Sequence, residues 1–192
     1  MTVDEIVNLL AKWEGLGKKT FPSGTVYFGP IRGMPGRNGW LHQVFRPISR
    51  LNLDKFAQEN PFHERYEYSR QLYDFNGAVL FLKCFFLYGL RIDREMDSVD
   101  LPWDLVITNI GKQEIATFCD GIVIGGGQFG ESSIAYIESA SNEILAFDES
   151  SKSTIFKWLN FDMFFRSEIL RLNSVFNQDG TPPVNFDNVD YY

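Results

Sequence analysis

A single domain in which helices pack against a sheet is predicted from three features of the 192-residue chain. The length suits one domain, and 44% apolar residues are enough to fill a substantial core. The segment around Ile134, Tyr136 and Ile137, then Ser141-Asn142, then Glu143 to Phe147 (EILAF) has the composition of strand, turn and strand. Near the end, Phe161, Phe164, Phe165, Ile169 and Leu172 fall at helical spacing and build one strongly apolar face. A sheet is the simplest surface against which to bury it.

The elements follow in order. Thr2-x-x-Glu5 is a capping box, and Ile6, Leu9, Leu10 and Trp13 continue as one face of a short amphipathic helix. Thr25 to Phe28 is expected as a strand. Gly29 to Pro47, rich in Gly, Pro and Arg, is expected as a long surface loop. Its Arg32, Arg37 and Arg46 suit either an anion-binding loop or solvated charge, and the absence of an adjoining helix start favours the second. Leu53 to Ala57 carries a weak helix signal. From Phe62 to Phe75 the pattern is helical, with Asn76-Gly77 as its stop. Ala78 to Leu90 (AVLFLKCFFLYGL) is expected as buried strand, because Lys83 interrupts it and it is shorter than the ~20 residues that span a bilayer. Phe118 to Ile124 is a further strand. Asn160 is the expected cap of the last helix, with Asp162 in its first turn, and Asn177 to Tyr192 is expected as a loose tail.

Gly125, Gly127 and Gly130 have the spacing G-x-G-x-x-G, which in nucleotide-binding proteins requires a helix start after the glycines to hold phosphate. Ser133 to Glu138 suits an extended segment instead, so the glycines are expected to connect strands and no cofactor is expected.

The net charge of −7 is unevenly divided. The first sixty residues hold eight Lys/Arg against five Asp/Glu, whereas the remainder hold ten against twenty. Direct nucleic-acid binding needs phosphate contacts from Lys and Arg, so the acidic part points instead to a basic protein partner or to an ordinary solvated surface. Asp93, Glu95, Asp97, Asp100 and Asp104 lie together on an expected exposed connection ending in Pro102-Trp103-Asp104-Leu105, and they are the candidate partner-binding residues. Cys84 and Cys119 read as buried free thiols, and two histidines, His42 and His63, leave little for a metal site. G-x-S-x-G, P-loop and H-E-x-x-H motifs are missing, and no catalytic residue is assigned. The acidic start (MTVDEIVNLLAKW) does not suit a secretion signal, so a cytoplasmic protein without a membrane span is expected.

The order of segments resembles the SMI1/KNR4 (SUKH) superfamily. Pro61, Tyr66 and Leu72 lead to Asn76-Gly77 and Leu80-Phe81; Leu87-Tyr88-Gly89-Leu90, Pro102-Trp103-Asp104-Leu105 with Asn109, and Ile124-Gly125-Gly126 follow; Tyr136, Ile144, Phe147, Trp158 and the helix NFDMFFRSEILRL complete the set. The resemblance covers residues 51–176, with 1–50 as an N-terminal extension of the same domain and 177–192 as the tail. It implies an α+β domain with a central, largely antiparallel sheet and packed helices. It further implies a non-enzymatic protein: in bacteria, an immunity protein that binds and neutralises a cognate polymorphic or contact-dependent toxin, nucleases among them. The alternative within the same fold is a regulatory adaptor or scaffold.

Overall fold

The computed structural model describes residues 1–31, 39–59, 65–91, 100–129 and 132–182, and the structural statements below concern those residues. The chain is α+β. Its nine strands form one antiparallel sheet in sequence order: β1 Lys18–Thr20, β2 Val26–Pro30, β3 Trp40–Val44, β4 Ala78–Leu80, β5 Phe85–Leu87, β6 Gly121–Phe129, β7 Ser132–Ser139, β8 Ile144–Asp148 and β9 Ser153–Trp158. The helices are α1 Val3–Leu9, α2 Arg50–Glu59, α3 Glu67–Gln71, α4 Leu105–Gly111, α5 Gln113–Phe118 and α6 Phe161–Val175. None of the described helices is long and apolar enough to cross a membrane.

Both helix starts expected from local chemistry are present. Thr2 accepts from the Glu5 amide while the Glu5 carboxylate accepts from the Thr2 amide, closing the capping box. Asn160 accepts from the Met163 amide at 2.9 Å and starts α6. The buried face of α6 is the expected one, and Glu168 lies within it. Phe164 packs on Tyr136 of β7, with ring centroids 4.8 Å apart. Phe118, at the end of α5, packs on Phe147 of β8 at 5.8 Å. Phe147 pairs with Ala135, the neighbour of Tyr136, so the two contacts lie on opposite faces of the sheet. At this end of the domain α6 covers one face and α4–α5 the other.

Several expected elements are corrected. The loop expected over Gly29 to Pro47 contains β3, whose Leu41 to Val44 are buried and whose backbone pairs with both β2 and β4. Arg32 and Arg37 lie outside the described residues. The expected helix over Phe62 to Phe75 is described only from Arg65 onward, where α3 occupies Glu67–Gln71. Gly77 does have the left-handed φ of +82°, but it lies beyond the helix. There it lets the backbone enter β4 within close reach of the Leu87 carbonyl. The single strand expected over Ala78 to Leu90 is a hairpin of β4 and β5. Its turn places Phe81, Leu82 and Lys83 at φ of 51°, 55° and 76°, without the Gly, Asn or Asp that ordinarily marks such a turn. The expected tail begins as a hydrogen-bonded turn, with the Asn177 amide donating to the Thr181 carbonyl and Gly180 buried, while residues 183–192 lie outside the description.

Two glycines of the nucleotide-like motif, Gly125 and Gly127, are inside β6 rather than between strands, and the third, Gly130, lies outside the described residues. Gly125, Gly126 and Gly127 pair with Leu87, Phe86 and Phe85 on one side and with Tyr136, Ala135 and Ile134 on the other. The element after them is β7, a strand, where phosphate binding would need a helix start.

Distant segments meet beside this strand. The Asn76 side chain donates to the Leu90 carbonyl at 2.9 Å and accepts from the Leu90 amide at 2.7 Å. The Gly89 amide donates to Trp103, and Gly89 in turn accepts from Leu105, which joins the end of the hairpin to the start of α4. The Tyr88 amide donates to the Ile124 carbonyl. Asn109 completes the junction, its side chain both donating to and accepting from the Val123 backbone at 2.8 Å.

Candidate functional site

The acidic candidates do not form one exposed group. Asp93, Glu95 and Asp97 lie outside the described residues. Asp100 is only 4% exposed, a correction to its expected place on an exposed connection. Its Oδ1 accepts from Ser23 at 2.7 Å and from Thr25, and its Oδ2 lies 3.5 Å from Arg46 Nε. A carboxylate leaves water only where such partners replace its hydration, and here they come from the turn before β2 and the segment after β3. Arg46, read as solvated loop charge, is therefore one half of this tie. Asp104 is half-buried and caps α4, accepting from the Ile107 amide at 2.9 Å. Replacing Asp100 with Ala should destabilise the fold by about 2 kcal/mol, since the Ser23 and Thr25 hydroxyls lose a charged acceptor and Arg46 loses its counter-charge. Urea denaturation measures this, and an unchanged midpoint would remove the structural role of Asp100.

Two other acids are internal, and both sit at inward positions of apolar patterns, which is the signal by which sequence reasoning would have found them. Glu168 lies on the apolar stripe of α6, 1% exposed, between the Tyr136 hydroxyl at 2.9 Å and the Arg171 guanidinium at 2.7 Å. Glu138 on β7 is fully buried and accepts from the amides of Glu67 and Tyr68 at the start of α3, at 2.7 and 2.9 Å. Desolvation outweighs these two donors and holds its carboxyl up at about 7. His42 is the counterpart on the other side of the scale. It is enclosed by Phe81, Phe28 and Trp13, with centroids at 4.6, 4.8 and 5.9 Å, and its Nε2 has no hydrogen-bond partner. Burial, reinforced by the charge of Lys12, keeps it neutral well below its ordinary value of 6.5.

The two groups oppose one another in the pH dependence of stability. The raised Glu138 contributes stability that is full below 4.5 and is lost as pH rises through about 7, because the folded carboxyl keeps a proton that the unfolded one has released. The depressed His42 contributes stability that is full above 6.5 and is lost as pH falls, because the unfolded ring takes up a proton first. Between about pH 5 and 6.5 the slopes should largely cancel in the wild type. Glu138→Gln should then lose stability on acidification and His42→Leu should lose it on alkalinisation, as measured by denaturation at several pH values. Slopes of the same sign in both variants would contradict this assignment.

The two cysteines are not activated as nucleophiles. Cys84 and Cys119 are unbonded and half-buried, and burial raises both thiols, Cys84 to about 12, so neither is a thiolate at neutral pH. Among the described residues no three His, Cys, Asp or Glu side chains converge as metal ligands would. A groove of about 570 Å³ lies between α2 and α3, where Leu53, Phe56 and Ala57 face Ser69, Arg70 and Tyr73. Its carboxylate, Asp54, is occupied by the Tyr73 hydroxyl.

The surface feature that the sequence reading missed is on α4 and α5. Ile107, Ile110 and Phe118 are 67%, 72% and 73% exposed, although each is a large apolar residue within one short stretch. Their recurrence with Glu114 at helical spacing was the available signal. The inner side of the same stretch is held by Leu105, Asn109 and Ile115 against the sheet and core, so the outward stripe is a consequence of how the segment docks. The chain matches no protein-family model, no curated protein and no solved structure.

Proposed function

We propose that this chain is a non-catalytic binding protein of the SMI1/KNR4 (SUKH) type, acting as an immunity protein that holds a cognate toxin in an inactive complex. The observation that carries the reading is the junction around Asn76. Several of the segments on which the resemblance rests meet there although they span almost fifty positions of the chain: Asn76 bonds the Leu90 backbone, Gly89 bonds the Trp103 and Leu105 backbone, and Asn109 bonds the backbone of Leu105 and of Val123, next to Ile124. The side-chain amides of Asn76 and Asn109 are used on backbone groups of the junction, as expected of residues that define a fold and leave function to the surface. An acidic protein with a net charge of −7 also suits a basic toxin, and a nuclease domain is one such partner because it must present cations to phosphate.

The test is co-expression with the product of the neighbouring gene. Immunity requires that a secreted protein with a C-terminal toxin domain be encoded there, that the two proteins co-purify in fixed stoichiometry, and that growth arrest by the toxin domain be relieved. A stable complex without relief of toxicity would favour the regulatory adaptor instead.

A further inference from the structure

We infer that the outward stripe of α4 and α5, with Ile107 and Ile110 at its centre and Phe118 at its end, is the surface that docks a cationic protein partner. The inference rests on the binding function proposed above and assigns it a place on the molecule.

Three large apolar side chains are exposed within twelve positions, the arrangement by which a few anchors supply most of the energy of an interface. The charges around them select among possible occupants. Asp104 caps the start of the stripe, Glu114 is exposed within it and Asp120 is exposed just after its end. The cation of the stretch, Lys112, is engaged by Glu149 from the turn after β8, so the acids keep a surplus of negative charge. A second copy would bring one acidic rim against another, and an anionic bilayer would be repelled in the same way. A protein that offers an apolar hollow rimmed by Lys or Arg satisfies both features at once.

The stripe is also held rigidly enough to serve. Asn109 ties α4 to the β6 backbone, Lys112 ties the kink between the helices to Glu149, and Phe118 rests on Phe147. Anchors placed on fixed elements lose little freedom on binding.

The experiment uses the full chain and, as probe, the toxin domain encoded by the neighbouring gene. Ile107→Ser/Ile110→Ser should weaken binding at least about tenfold with the melting temperature nearly unchanged, because both side chains are largely solvated in the free protein. Glu114→Lys should slow association and reduce its dependence on ionic strength. Wild-type affinity in the double variant overturns the inference and leaves the immunity reading intact. Failure of the wild type to bind the toxin domain removes both. Light scattering and sedimentation with phosphatidylglycerol vesicles complete the test: if the double substitution abolishes self-association or vesicle binding and leaves toxin binding unchanged, the stripe belongs to a second copy or to a lipid surface, and the inference fails.

Discussion

Gly125→Val is expected to destabilise the domain by about 3 kcal/mol or more, the upper range for overpacking a closed interior. A Cβ at this position would stand 2.3 Å from the Phe86 carbonyl oxygen and 2.9 Å from Leu87 Cδ2. The first of these is backbone in the centre of the sheet, where β5 is pinned between β4 and β6, so it cannot move aside without opening the ladder. The adjoining Gly126 and Gly127 are equally confined, with prospective Cβ contacts of 2.8 Å to Phe86 Cζ and 2.5 Å to the Cys84 carbonyl. Gly111 is the control, since nothing lies within 4 Å of its Cβ position. Gly111→Ala should be neutral or stabilising by up to about 1 kcal/mol. Thermal unfolding of the two variants beside wild type separates a packing role from a phosphate-binding one. A Gly125→Val protein with wild-type melting temperature would show that the strand approach is not what these glycines serve.

Phe164→Ala should cost about 3 to 5 kcal/mol, the range for emptying a buried aromatic site. Phe164 has no solvent exposure and meets Tyr136, Trp158, Phe85 and Phe161 with centroid separations of 4.8, 5.0, 5.5 and 5.9 Å. These rings belong to β7, β9, β5 and α6 itself, so collapse into the vacated volume would require several elements to shift together. Phe118→Ala removes the same ring from a site that is 73% exposed and should cost less than about 1 kcal/mol. Equal urea midpoints for the two variants would show that α6 contributes little to the core.

The parts of the fold that were legible are those whose information is local. The capping box at Thr2, the cap at Asn160, the apolar stripe of α6 and the strand pair around Asn142 each follow from residues within a turn or two of one another. The β4–β5 hairpin was not legible because its turn is made by Phe81, Leu82 and Lys83, which have no intrinsic preference for the left-handed region. Burial of Phe81 and strand pairing on both flanks hold the turn there. The strand β3 was hidden for a related reason: Trp40 to Val44 lies among Gly, Pro and Arg, and what makes it a strand is the pair of neighbours that satisfy its backbone.

The same division runs through the chemistry. By itself the sequence determined the α+β class, the surplus of acids and the absence of the common catalytic motifs. Only the tertiary structure decided which acids are surface charge. Asp100 became internal because Ser23, Thr25 and Arg46 arrive from more than fifty positions away, and Glu138 because the start of α3 folds over it. It likewise turned Ile107, Ile110 and Phe118 outward by spending the other side of α4 and α5 on the sheet. The physical reason is that propensity and periodicity act between near neighbours, whereas burial and the pairing of charge depend on contacts that exist only once distant segments have closed together.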